Sequence, residues 1–145
     1  MSADILAHAR GYLGTPWVHQ GRSSAGLDCL GLAALTARAV RGYTWDITNY
    51  AAQATDETML RLCAEHMDPV PLAQLAPGHV VVIRYQRQRH MAIVGDYPAQ
   101  PGALSLIHAS SVHGKVVEHR LDSRWQRIII AAFALRDLRG TTEAA

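Results

Sequence analysis

The sequence predicts an α+β domain, with N-terminal helices packed on an antiparallel sheet of about five strands. Three observations carry that expectation. Apolar residues recur at helical spacing in three segments before Asp68. Beyond the Pro77–Gly78 turn the period becomes that of strands. The strand-like segments then follow one another through polar turns, without the crossover helices that a parallel sheet requires. All 145 residues read as a single domain of ordinary size.

Each element follows in order. Ser2 to Leu13 reads as a helix, with Ile5, Leu6, Ala9, Tyr12 and Leu13 at helical spacing and Ser2 able to cap it. Gly14 and Pro16 end it, and 15–28 is a loop punctuated by Gly21, Ser23, Ser24 and Gly26. Asp28 stands before a helix over 29–41 whose apolar residues cover almost every face, so it should be buried centrally. Arg38 and Arg41 suit its C-terminal end, and Gly42 stops it. Residues 43–54 read as irregular. A second amphipathic helix covers about 56–66, with Met59, Leu60, Cys63 and Met67 on one side and Asp68, Pro69 and Pro71 as its stop. Strands are expected over 80–85, 90–94, 104–108, 115–121 and 127–135, the last being the most apolar and placed at the sheet's centre. From about Arg136 a polar, frayed tail is expected.

Composition excludes several classes of function. Apolar residues make up 49% and charged residues 18%, a globular balance with enough for one core. A net charge of +2 leaves no electrostatic footprint for nucleic acid. No run approaches the ~18 consecutive apolar residues of a membrane span. Asp4, His8 and Arg10 interrupt the first segment, so no signal peptide is expected, and a substrate outside the cytoplasm would need another route of delivery. Cys29 and Cys63 lie in no cysteine-dense framework and are expected to stay unpaired. His90, His108, His113 and His119 lack ligand spacing, and neither an H-E-x-x-H nor a C-x-x-C motif is present, so no metal is expected. No glycine-rich turn follows a first strand, so nucleotide-binding α/β folds find no support.

The chemistry lies in Cys29 and a distant histidine. Cys29 opens the apolar helix, where unpaired N–H groups and the helix dipole favour thiolate and can hold an oxyanion. Asp28 beside it works against the thiolate. Alone, the cysteine is equally well read as a buried structural residue. His90 opens a strand just past a basic turn, and from there can take the thiol proton as general base. If the 90–94 and 104–108 strands pair antiparallel, His108 lies near the same edge and can orient the His90 ring. No cofactor is implied, because thiol acyl transfer needs none.

These residues also spell a family. Gly14-Thr15-Pro16-Trp17-Val18-His19-Gln20-Gly21, followed by Gly26-Leu27-Asp28-Cys29-Leu30-Gly31-Leu32, resembles the nucleophile motif of NlpC-type peptidases. Leu75-Ala76-Pro77-Gly78 resembles the family's L-x-P-G-D turn, His90-Met91-Ala92-Ile93-Val94-Gly95 its catalytic histidine strand, and Ile107-His108-Ala109-Ser110 its I-H-A-S segment. The motifs fall in the family's order over about residues 5–135. The resemblance implies a papain-like core with the nucleophile at the start of a central helix. It implies hydrolysis of peptidoglycan stem peptides at the bond from γ-D-glutamyl to diaminopimelate or lysine. It implies Cys29 as nucleophile, His90 as base, His108 as the orienting residue, Asp28 as a ligand of the substrate's amine and Trp17 on the oxyanion side. Three positions depart from the pattern: Trp17 replaces a tyrosine, Leu30 a serine and His79 an aspartate. The Asp28-Cys29-Leu30-Gly31-Leu32 form and the 49–67 segment are similar to the phage-associated branch, which implies tail or hub proteins as partners and a virion or gene-transfer particle as carrier to the cell wall. A non-catalytic tail component and a papain-like amidase acting on another amide remain as alternatives.

Overall fold

The structure is a computed structural model that describes residues 2–47, 50–52 and 54–140. Its helices are α1 (Ala3–Arg10), α2 (Cys29–Arg41), α3 (Thr58–His66) and α4 (Ser123–Ile128). Its strands are β1 (Arg22–Ser23), β2 (Gly26–Leu27), β3 (Asp68–Val70), β4 (Val80–Tyr85), β5 (Gln88–Asp96), β6 (Leu104–Ser110), β7 (Lys115–Arg120) and β8 (Ile129–Ala134). The last six form one antiparallel sheet in the order β3-β8-β4-β5-β6-β7, and β1 and β2 form a small hairpin before α2.

The α+β architecture is as the sequence implies, with corrections of detail. The sheet has six strands, because Asp68–Val70 pairs with β8 at the edge. Pro69 sits there without cost, since an edge strand leaves one side of its backbone unpaired. The most apolar strand, β8, lies next to that edge and not at the centre, which belongs to β4 and β5. Residues 127 and 128 belong to α4, a helix capped by the Asp122 side chain, which accepts the Trp125 N–H at 3.0 Å. Finally, Ser2 makes no capping bond to α1, which is tied instead by Arg41 to Asp4 and by Arg10 to Asp96 and Glu118.

Strand β4 shows why the sheet forms here. Val80 and Val82 pack with α2, α3, Met91 and Phe133 on one face, while Val81 and Ile83 pack with Ala92, Val94, Leu106 and Ile129 on the other. A strand buried on both faces reads as an unbroken apolar run, which is how this segment reads. α2 is covered on nearly every side, and Leu30, Leu32, Ala34 and Ala37 are at most 1% exposed. Gly42 ends it in the left-handed conformation at φ 77°, which only glycine adopts without strain.

Two further ties hold the far end of the domain. The Tyr43 hydroxyl donates to the His66 carbonyl at 2.8 Å and accepts the Arg136 N–H at 2.8 Å. Arg136 also reaches Asp68 at 2.9 Å, and the Leu138 N–H bonds the Arg41 carbonyl. Residues 136–140 are therefore fastened to the domain and not frayed; the end of the expected polar tail, 141–145, lies outside the described residues.

Candidate active site

Loop 14–28 and the first turn of α2 form one block. The Asp28 side chain caps the helix, accepting the Gly31 N–H at 2.8 Å. A Cβ on Gly31 would collide with the Gly21 carbonyl, and a Cβ on Gly21 with the Gly26 carbonyl, so the loop can lie on the helix start only where side chains are missing.

The Asp28 carboxylate is buried and fully engaged. Oδ1 accepts from Gly31 N–H and from Arg22 Nη1 at 3.0 Å, and Oδ2 accepts from Gln20 N–H at 2.8 Å and from the Tyr50 hydroxyl. Arg22 in turn grips Asp46 at 2.9 Å and the Tyr50 hydroxyl at 2.8 Å. Burial, and then the bond to Asp28, hold the Tyr50 phenol above its ordinary pKa. Asp28 thus joins helix, loop and the 43–52 segment through four donors. Arg22 and Tyr50 are neighbours of Asp28 that nothing in the sequence pattern singles out. Tyr50 lay in a segment without periodicity, and Arg22 among loop breakers.

β5 and β6 are paired from Asp96↔Leu104 to Ile93↔Ile107, and the pairing stops there. The cleft opens at that end, with a volume of about 260 Å³, and it is lined by Trp17, Asp28, Cys29, His90, His108 and Trp125 among others. Cys29 reaches into the gap, where its sulfur meets the backbone N–H of Met91, the residue after His90. The structure therefore brings together all five site residues expected from the sequence.

The thiol departs from the expectation for a helix N-terminus. It is 9% exposed, and burial pushes its pKa up to about 12, with Met91 N–H opposing, Asp28 adding and Leu30 N–H opposing. Desolvation outweighs the helix terminus here because the whole first turn is sunk in the core. Cys63 is a second free thiol, in the core and away from the cleft lining.

The histidines form a line. His90 Nε2 lies 2.8 Å from His108 Nδ1, His108 Nε2 lies 2.9 Å from His119 Nε2, and His119 Nδ1 lies 2.9 Å from the Arg120 carbonyl oxygen. Each ring meets the next nearly edge to face, and Trp125 lies against His108 and His119. Burial lowers the His90 pKa to about 4, with Asp28 opposing and His119 reinforcing. Burial, then the neighbouring His90 and His119, lower His108 to about 2. Both rings are neutral at pH 7. His119 lies within the strand expected over 115–121; its alignment is set by the β6–β7 register, which pairs Leu106 with His119 and His108 with Val117.

The departures from the motif pattern now have places. Leu30 is completely buried in the core and does not line the cleft that holds Cys29 and His90. The ring of His79 accepts the Ala76 N–H at 3.1 Å and so holds the Pro77–Gly78 turn. Trp17 is half-buried on the cleft wall, its backbone N–H bonded to the Gly114 carbonyl at 2.8 Å. Among the described residues no group of three or more His, Cys, Asp or Glu is arranged to hold a metal ion, and no helix is long and apolar enough to cross a membrane.

Comparison with known proteins agrees with this fold. The chain is similar to the NlpC/P60 domain of the peptidoglycan hydrolase SagA, at 20% identity and TM-score 0.62, over 93% of this chain and 99% of that one. It is similar to an NlpC/P60 family protein from Bacillus cereus, at 17% identity and TM-score 0.64, over 95% of this chain and 40% of that one. It is also similar to the peptidoglycan hydrolase RipB from Mycobacterium tuberculosis, at 16% identity and TM-score 0.56, over 90% of this chain and 62% of that one. At these identities the likeness establishes a shared fold. No curated protein matches significantly by sequence. The sequence profile of the NlpC/P60 family matches residues 14–133, which span the loop, the central helix and the sheet as far as β8, and the chain belongs to the NlpC/P60 family.

Proposed function

We propose that this chain is a cysteine peptidase that hydrolyses an amide bond in peptidoglycan stem peptides. The observation that carries the reading is that Cys29 and His90 line one cleft, with His108 Nδ1 2.8 Å from Nε2 of the His90 ring. In this reading the Cys29 sulfur attacks the amide carbon while its proton passes to His90. The proton then leaves with the departing amine, and water hydrolyses the thioester with His90 again as base. Burial holds the thiol protonated at rest, so attack requires His90 to take its proton. N–H groups at the start of α2 and the Trp17 indole are the donors for the developing oxyanion. Asp28 serves chiefly by holding the loop against the helix, since its four lone-pair directions are already taken.

The bond we propose is that from γ-D-glutamyl to diaminopimelate, and the setting is a phage tail or tail-like particle that carries the enzyme to the cell wall. The bond follows the family's motifs. The setting is supported by the Asp28-Cys29-Leu30-Gly31-Leu32 form and the segment after it. Incubation with defined muropeptides and mass analysis of the products tests the bond: cleavage after D-glutamate is expected, and none with Cys29→Ala. Intact peptides with the wild-type chain would favour a non-catalytic tail component, for which the closed thiol and Leu30 are the supporting features. Peptide mass mapping of purified tail-like particles tests the setting, and absence of the chain from them would refute it.

A further inference from the structure

The line of imidazoles ends on a group that can only accept. The Arg120 carbonyl oxygen lies 2.9 Å from His119 Nδ1, so that nitrogen carries a proton. A neutral imidazole has one N–H, so His119 Nε2 is bare and accepts across 2.9 Å from His108 Nε2–H. His108 Nδ1 is then bare in its turn and accepts across 2.8 Å from His90 Nε2–H. One nitrogen is left over, His90 Nδ1, and it is unprotonated. That is the state a general base requires.

We propose that His119 is a positioning residue: through His108 it fixes the tautomer of His90, so that Nδ1 stays free to take the Cys29 proton. The proposal rests on the peptidase reading above. Geometry supports it at each step. His108 is 2% exposed, so water cannot replace His119 as its acceptor. The Trp125 ring lies 4.7 Å from His119 and 5.4 Å from His108, centroid to centroid, and closes that side. Trp125 is itself seated by the Asp122 cap of α4. When His90 takes up a proton at Nδ1, no other bond in the line has to reverse. The line ends on a carbonyl dipole and not on a carboxylate, so the imidazolium is held in orientation without being trapped, and it can release the proton to the leaving amine.

The test uses the intact chain. Tautomer-sensitive ¹⁵N imidazole spectra of the wild type at neutral pH are expected to show His119 protonated at Nδ1, and His108 and His90 at Nε2. Kinetics on a stem-peptide muropeptide then compare two variants. His119→Gln keeps an oxygen that can accept from His108, so kcat should stay within about 3-fold. His119→Phe removes the acceptor and lets His108 and His90 reverse, so kcat should fall by about 30-fold or more while KM changes little. His90 found protonated at Nδ1 in the wild type overturns the proposal, as does a His119→Phe enzyme with full kcat. Should the Phe variant not fold, the wild-type spectrum and the Gln variant still decide. A wild-type chain with the expected tautomers that leaves every muropeptide intact overturns the peptidase reading while sustaining the imidazole order.

Discussion

The rings of His90 and His108 meet nearly at right angles, with Nε2 of the first 2.8 Å from Nδ1 of the second, on strands that have ceased to pair with each other. Both are held neutral by burial, and this has a consequence for stability. Their folded pKa values, about 4 and about 2, lie below the ordinary value of 6.5. Below pH 6.5 the unfolded chain therefore binds more protons than the folded one, and stability falls as pH falls. The slope should approach ~1.4 kcal/mol per pH unit for each histidine between about pH 6 and 4. Urea midpoints measured from neutral pH downward would check it, and a flat profile would contradict neutral burial of the pair.

Alkylation of Cys29 by iodoacetamide should be slow at neutral pH without substrate and should keep rising past about pH 9, because the thiol pKa stands near 12. A rate that levels off near neutrality would mean a resting thiolate. Cys63, with no exposed surface, should react only after denaturation.

Cys63→Ala should lower stability by about 1 kcal/mol through a small core void and leave kcat/KM within about 2-fold. Cys29→Ala should instead abolish hydrolysis while the chain stays folded. Thermal melts and product analysis on the same samples separate the two effects.

Arg22→Ala leaves the buried Asp28 carboxylate without its cation and should cost about 3 kcal/mol. Tyr50→Phe removes one donor from the same carboxylate and should cost about 1–2 kcal/mol. Since both side chains also bond each other, the double variant should lose less than the sum. Denaturant titration of the four proteins closes this cycle, and strict additivity would refute the shared network.

Leu30→Ser, which restores the residue usual in the motif, should destabilise this chain by about 3 kcal/mol or more, because the position is sealed in the core. Retention of full stability would show that the helix can turn this position to the cleft.

Much of this was legible in sequence, for identifiable reasons. The apolar surround of 29–41, its Asp28 cap and its Gly42 stop are local signals, and each stands where expected. So are the hairpin turn between β4 and β5 and the antiparallel placement of His90 near His108. What escaped depends on long-range pairing. The three-residue β3 exists only because β8 offers it an edge. Tyr50 and Arg22 matter only because Asp28 draws them together, and His119 only because β7 aligns it with His108. The thiol's pKa was misjudged because a helix terminus is visible in sequence, whereas the depth at which it is buried is not.

The stacking of Gly21 on the Gly26 carbonyl, and of Gly31 on the Gly21 carbonyl, bears on how this chain can diverge. A single methyl at Gly21 or Gly31 would lift the whole segment off the start of the central helix, and the Cys29 sulfur would lose its setting while keeping its identity. In a saturation scan, these two positions should tolerate as few replacements as Cys29, although neither has a side chain to line the cleft.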